Sequence, residues 1–318
     1  MMKQEIKIDT LNDQIKDVDL YICSVSFEDR CCVVTDAIDK KNVQSVAMFY
    51  NKNEESCFTK QLSHIESQWG EKVNKIGICY NDASDIADKF SDFFCKKFTK
   101  TIGNILLDCT TFTHEGLLIV LKYLYENRNQ YDTLYVVYVC ADSYSTNTSD
   151  PNKKWLTKGI HSTKTILGYP GIFNPSKKNH LIVLFGFELE RTIKLVDQMD
   201  FDKITLCFGA KSDSIYTQHY QVNKARHEEM LSMYPNADKL EISLRDPGKT
   251  KAILLDYLKE DTHNVVIAPM NNKISTIGVA MAAIENPDIQ LVYSKANEYN
   301  LSYSTPSKDL ILFSIWDK

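Results

Sequence analysis

Residues 104–124, NILLDCTTFTHEGLLIVLKYL, place a strand, a polar turn and a helix in immediate succession. The apolar run 104–107 fits a strand covered on both faces, and it stops at Asp108, whose carboxylate emerges at the strand's carboxyl end. Cys109, Thr110, Thr111 and Thr113 follow, small side chains that hydrogen-bond well and can line a pocket. His114 and Glu115 then open a helix in which Leu117, Leu118, Leu121 and Leu124 recur at helical spacing. The turn therefore lies at a helix N-terminus, where free backbone amides favour anions. In an open α/β sheet that is the end where ligands bind.

Working outward, strands and helices alternate on both sides of this segment. Apolar runs at 19–25, 45–50, 75–80, 105–108 and 133–140 read as strands, with helices at 32–38, 58–68, 86–98 and from 114 onward. Alternation at this spacing predicts a parallel, doubly wound sheet. Residues 141–179 break the pattern with Ser, Thr, Asn, Gly and Pro, including GYPGIFNP at 168–175, and mark a boundary. The pattern then restarts. HLIVLFG at 180–186 answers the first strand, 204–208 the second, 240–243 the third, and NVVIA at 264–268 answers NILLD at an offset of 160 residues. The helix at 277–284 answers 117–124, and 289–293 answers 134–139. Phe27, Glu28 and Arg30 after the first strand return as Phe187, Glu188 and Arg191 with one residue inserted. The expectation is an α/β chain of two tandem, duplicated Rossmann-like halves packed as a pseudo-dimer: 1–142, a basic linker 143–179, and 180–318.

Composition sets outer bounds. The chain has 318 residues, 43% hydrophobic and 25% charged, long enough for two domains of roughly 100–200 residues each. A formal net charge of -5 argues against coating of nucleic acid by the whole surface. Nine cysteines, mostly inside apolar runs and never as CxxC, read as reduced thiols of a cytoplasmic protein. The N-terminus is polar and no apolar run approaches the roughly 18 residues of a membrane helix, so neither signal peptide nor span is expected.

The candidate binding residues are Glu28, Arg30, Asp108, Thr110, Thr111, Thr113, His114, Glu188, Arg191, Asn271 and Lys273. Arg30 and Arg191 carry planar forks suited to phosphate. The alternative is an ion pair beside a core phenylalanine. Thr113 is also a natural N-cap. Lys273, in the turn equivalent to the Thr-rich one, opposes a helix dipole unless an anion sits there. Asn223 and Arg226 lie on a helix expected at 218–234. Residues 151–180 carry Lys153, Lys154, Lys158, Lys164, Lys177, Lys178, His161 and His180 with no acidic residue. They suit contact with a nucleotide, a nucleic acid or an acidic partner, or else form a solvated loop. Gly248-Lys249-Thr250 imitates a P-loop end, but Ser243 occupies the required glycine position. GxGxxG, HExxH and GxSxG are absent, so no standard cofactor or metal chemistry is expected.

LLDCTTFTHE resembles the fourth-strand motif of CRISPR-associated Rossmann-fold (CARF) sensor domains, in which an Asx-x-Thr-Gly-Gly-Thr-type turn contacts a cyclic oligonucleotide messenger. Asp108 and Thr110 fall on the Asx and first Thr and Thr113 on the second; Thr111 and Phe112 replace the glycines and His114 the following Lys. Over most of the chain, SFEDR, LLDCTTFTHE and GYPGIFNPSKKNHLIVLFGFELER look like uncharacterised bacterial proteins of anti-phage defence loci. These resemblances imply a cytoplasmic sensor or adaptor that binds a nucleotide-like anion and acts through an operon-encoded partner protein. The rival is a nucleotide-processing hydrolase, glycosidase or nuclease using Asp108, His114 and Glu28.

Overall fold

The computed structural model describes residues 3–316 apart from 99, 146, 147, 149, 151, 152, 188 and 199. The chain forms two compact units, Met1–Thr146 with Leu301–Lys318, and Asn147–Asn300. In chain order the first unit contains β1 (Lys3–Lys7), a short helix α1 (Leu11–Gln14), β2 (Val18–Ser24), α2 (Arg30–Ala37) and β3 (Val43–Asn51). It continues with α3 (Thr59–Trp69), β4 (Val73–Ile78), α4 (Ala83–Lys97), β5 (Ile102–Asp108), α5 (His114–Glu126) and β6 (Tyr131–Tyr144). The second unit holds β7 (Thr157–Lys158), β8 (Ser162–Pro170), β9 (Asn179–Leu184), α6 (Leu189–Asp197), β10 (Lys203–Gly209) and α7 (Thr217–Met233). After these come β11 (Asp238–Ile242), α8 (Pro247–Tyr257), β12 (Asn264–Pro269), α9 (Lys273–Glu285), β13 (Gln290–Lys295) and β14 (Glu298–Tyr299). The last strand, β15 (Ser304–Ile315), belongs to the first unit again.

Each unit has its own sheet with the same parallel core. β4-β3-β2-β5-β6 in the first matches β11-β10-β9-β12-β13 in the second, the doubly wound order with the chain reversing direction at the first strand. The central strands are buried along their length, which is why β2 and β12 read as continuous apolar runs rather than alternating ones. Helix starts follow local chemistry. Asp82 accepts from the Ser84 amide (3.0 Å) ahead of α4, and Thr113 from the Gly116 amide (3.0 Å) ahead of α5. In the second unit Asp246 accepts from Lys249 (3.1 Å) and Asn272 from Ser275 (2.9 Å). Such caps are worth about 1 kcal/mol each.

The units depart from the expected division at residues 142 and 180. β15 does not extend the second half; it pairs antiparallel with β6 on one side and β1 on the other. Its apolar end, Leu310 to Ile315, is buried and closes what would otherwise be the open edge of β6. The expected linker is likewise built into the second unit, where β8 pairs antiparallel with β13. Residues 248–250, set aside as a failed phosphate loop, open α8, and Thr250 binds back to the Ser243 carbonyl (2.7 Å).

The two units pack their last helix pair differently. α4 and α5 meet through rings, with Tyr123 lying 5.1 Å from Phe90 and 5.7 Å from Phe94. α8 and α9 instead meet at Gly278, where a Cβ would fall 2.6 Å from the Thr250 Cβ and 2.7 Å from the Pro247 carbonyl. Only glycine permits that approach. Among the described residues, no helix is long and apolar enough to cross a membrane.

The Ser145 amide donates to the Tyr303 carbonyl at 2.8 Å, so the chain leaves and re-enters the first unit at adjacent points. Replacing 147–300 by a short Gly-Ser linker should therefore leave a folded first unit with a cooperative urea transition, because closing so short a gap costs little. Deleting 301–318 from that same protein should abolish the transition. A disordered protein in the first case would contradict the assignment of β15.

Candidate functional site

In both units the carboxyl ends of the parallel strands face the first strand-to-helix turn, and the fifth strand runs on past the fourth. β5 pairs with β6 only as far as Asp108 and Val137. Beyond that point the Val139 amide and carbonyl have no strand on the β5 side, and buried backbone groups must find partners. Side chains supply them. Thr110 Oγ1 accepts from the Val139 amide (3.0 Å), and Arg30 Nη1 donates to the Val139 carbonyl (3.1 Å).

The expected site residues of the first unit converge on this brace. Thr110 donates its hydroxyl to Asp108 Oδ1, which also accepts from the Thr110 amide (3.0 Å), and Tyr21 donates to Asp108 Oδ2 (3.4 Å). Glu28 Oε2 accepts from Arg30 Nε (3.0 Å), Arg30 Nη2 (2.7 Å) and the Ser304 hydroxyl of β15 (2.6 Å). Arg30, Asp108 and Thr110 are all buried, with Arg30 lying 5.9 Å from the Tyr138 ring and 5.8 Å from that of Tyr144. Burial alone would lower the Arg30 pKa, but the Glu28 carboxylate and the two tyrosines outweigh it and hold the guanidinium charged. Burial pushes the Asp108 carboxyl up to about 6, against the Thr110 and Tyr21 hydrogen bonds and the nearby Arg30 charge. These groups are bound to one another in a closed interior.

Thr111 donates to the Ser24 carbonyl at the end of β2 (2.6 Å), closing the crevice between the first and fourth strands. Thr113 is the α5 cap, and His114 is the half-buried first residue of α5.

The second unit repeats the brace with equivalent residues. Arg191 donates to the Ser294 carbonyl near the end of β13 and lies 5.8 Å from the Tyr293 ring, as Arg30 serves Val139 beside Tyr138. Asn271, 160 residues after Thr111, donates to the Phe185 carbonyl (2.6 Å) at the end of β9. Asn104 and Asn264, also 160 apart, each bind carbonyls of the loop before the first strand: Lys16 (3.2 Å) and Asp17 (3.3 Å), and Asn174 (3.0 Å) and Lys177 (3.3 Å). Duplication thus reaches individual hydrogen bonds. Lys273 is the half-buried first residue of α9. Glu188 lies outside the described residues.

Above this brace the second unit has a feature the first lacks. His227 of α7 stacks on Phe208 at the end of β10 (centroids 3.9 Å apart) and lies 5.1 Å from the Phe185 ring. Among the described residues its Nε2 has no hydrogen-bond partner, nor does Oδ1 of Asn223 one helical turn earlier. Burial lowers His227 to about 4, the Phe185 carbonyl opposing, so the ring is neutral at pH 7. Arg226 donates to the Lys154 carbonyl (2.7 Å) and lies 4.8 Å from the Phe187 ring. The corresponding helix of the first unit, α3, turns Leu62, Ile65 and Trp69 inward. Sequence reasoning passed over His227; the signal was Asn223 and His227 at helical spacing with the buried Met230.

Two other polar features differ in character. His180, fully buried at the start of β9, bonds to Asp261 Oδ2 (2.7 Å) and to Thr205 Oγ1 (2.7 Å), and Thr205 bonds to Tyr257 (2.8 Å). This chain lies at the amino ends of β9, β10 and β12, away from the crevice, and it removes His180 from the expected basic linker. Burial lowers His180 to about 4 although Asp261 opposes it; Asp261 itself, against its burial, is held well below the usual carboxylate range by His263 and His180. A groove of about 580 Å³ runs along β4 beside Tyr50 and Phe93. Its lysines are committed: Lys52 and Lys89 to Asp85 (3.9 and 3.1 Å), Lys75 to Glu66 (2.8 Å). Among the described residues, no three His, Cys, Asp or Glu gather to hold a metal ion.

Two outcomes are expected. Arg30→Ala strands the Glu28 carboxylate and should destabilise the protein by about 3–5 kcal/mol in urea titration; unchanged stability would return Arg30 to a ligand role. Acidification should loosen the second unit first. His180 and His227 titrate near 4 when folded and near 6.5 when unfolded, so the stability they carry is full above pH 6.5 and is lost as the pH falls to 4. Asp108, raised from 3.8 to about 6, has the opposite sign and relieves the first unit over the same range. Hydrogen exchange at pH 5 against pH 7, corrected for intrinsic rates, should show protection lost in β9, β10 and α7 but kept in β5.

No family model and no curated protein matches the chain. Among solved structures it is similar to the N-domain, with NADP, of a bacterial malonyl-CoA reductase, at TM-score 0.27 and 7% identity over 84% of this chain and 76% of that one. It is also similar to A-type ketoreductases from a modular polyketide synthase, at TM-score 0.22 and 10% identity over 89% and 68%. The strand order of its own two sheets makes the chain a duplicated pair of Rossmann-like α/β units.

Proposed function

We propose that the chain is a sensor or adaptor of a prokaryotic anti-phage defence system, one that binds a nucleotide-like anion without consuming it and acts through a partner protein. The observation that carries the binding half of this reading is the pair of buried acceptors, His227 Nε2 and Asn223 Oδ1, beside the carboxyl ends of β9 and β10. A buried acceptor left unbound costs about 1–3 kcal/mol, and a ligand that offers N–H or O–H groups recovers it. A base amine or ribose hydroxyl has that chemistry, and the N-terminus of α9, which starts at Lys273, favours a phosphate through its backbone amides. On this reading the ligand is held by the second unit rather than by Asp108 and Thr110, whose polar atoms are bound to each other and to Tyr21 and Val139. The defence setting and the partner rest on the sequence resemblance.

A binding role also accounts for where the acid–base candidates went. Asp108 and Glu28, the carboxylates a hydrolase would use, are bound to Thr110, Tyr21, Arg30 and Ser304 inside the first unit.

Thermal-shift screening of mononucleotides and cyclic oligonucleotides, with the ligand recovered and chromatographed, tests the reading. Stabilisation with intact ligand is expected. His227→Phe and Asn223→Leu should each weaken binding roughly ten-fold, while the ligand-free variants melt no lower than wild type because an unbound acceptor has been removed. Cleaved ligand would point to a hydrolase, and no shift with any nucleotide would sink the sensor reading.

A further inference from the structure

We propose that residues 166–173 form a docking surface for a protein partner whose contact face is apolar and rimmed by carboxylates. Three of the five large hydrophobic side chains exposed among the described residues fall here: Leu167 at 45% exposure, Ile172 at 64% and Phe173 at 44%. They sit at the free edge of the second sheet, since β8 is its last strand. Exposed apolar residues scattered singly need no explanation, whereas three within seven residues on one edge do.

The segment is held rigidly in the conformation that exposes them. β8 breaks register between Thr165, opposite Val292, and Pro170, opposite Gln290, so residues 166–169 bulge from the ladder. Ile166 and Tyr169 turn inward and are buried, which leaves Leu167 outside. Gly168 (φ 91°) and Gly171 (φ 67°) supply the left-handed backbone that the bulge and the following turn require. A Cβ on Gly171 would fall 2.7 Å from the Gln290 Cβ, and the Gln290 side chain donates to the Pro170 carbonyl (3.0 Å). The Ile172 amide is tied to the Asp288 carbonyl (3.3 Å). A surface fixed in this way loses little entropy when it is covered.

Charge selects the partner. Residues 153–180 hold six lysines and no acidic residue in a chain of net charge -5. Lys177 and Lys178 follow the apolar group after three residues, both exposed, and Lys178 lies 3.5 Å from Asp202. The stretch contains no arginine, the side chain best fitted to phosphate and base edges, so an acidic protein face suits it better than nucleic acid. This surface gives the adaptor reading above its partner side and depends on that reading only for the existence of a partner.

The test pans a display library of random twelve-residue peptides against the full chain and titrates the enriched peptide by calorimetry. Acidic residues flanking aliphatic or aromatic ones are expected in the consensus. Ile172→Ser with Phe173→Ser should weaken the peptide at least ten-fold, and Lys177→Gln with Lys178→Gln should flatten its salt dependence. All four positions are exposed, so folding and any nucleotide-induced thermal shift should be kept. A consensus without acidic and apolar residues overturns the proposal, as does equal binding by the variants. So does partition of the wild type, but not the serine variant, onto phosphatidylglycerol vesicles or a single-stranded oligonucleotide. Loss of the nucleotide response in wild type would instead count against the sensor reading alone.

Discussion

A strand that outruns its neighbour leaves polar backbone in the interior, and the carboxyl end of each sheet is arranged around that problem. In the first unit Val139 lies two residues past the last paired position of β6 with β5. Its amide goes to Thr110 and its carbonyl to Arg30. Arg30 then needs a counter-charge, which Glu28 provides, and Glu28 is in turn bound by Ser304 of the closing strand. One unmet peptide thus ties together the first turn, the fourth and fifth strands and β15. The second unit meets the same need at Ser294 with Arg191.

Given a common brace, the units differ in what stands above it. The first presents apolar side chains from α3 and has its carboxylate and threonines bound inward. The second places His227 and Asn223 there with acceptor atoms unmet. The halves share this geometry and differ in the polar groups beside it, and the second unit also carries the exposed apolar edge at 167–173.

Much of the fold was legible because it is written in apolar periodicity. NILLD and NVVIA are buried on both faces and read as strands, and their fixed spacing exposed the duplication. β15 was not legible. LILFSI looks like any core strand, and only pairing over a long sequence separation assigns it to β6 rather than to the preceding half. Arg30 and Arg191, read as phosphate forks, donate to backbone carbonyls, since sequence cannot tell an arginine that faces a phosphate from one that faces a carbonyl. His227 went unseen because a helix with charges all round gives no clear inner stripe, so its buried face emerges only from packing.

The return of β15 to the first unit sets an order of events during synthesis. The outer edge of β6 is translated before the second unit and stays without its neighbour until residues 304–315 leave the ribosome. At about 5–20 residues per second the intervening stretch takes on the order of ten to thirty seconds. Over that interval the strands of the second unit emerge one after another, the last of them only a few residues ahead of β15, while β6 offers Val136 and Val137 along an unpaired edge, the kind of surface that captures other strands. The nascent chain thus carries an earlier half that lacks its closing strand for as long as the later half is being made, and that state is where a chaperone has most to protect.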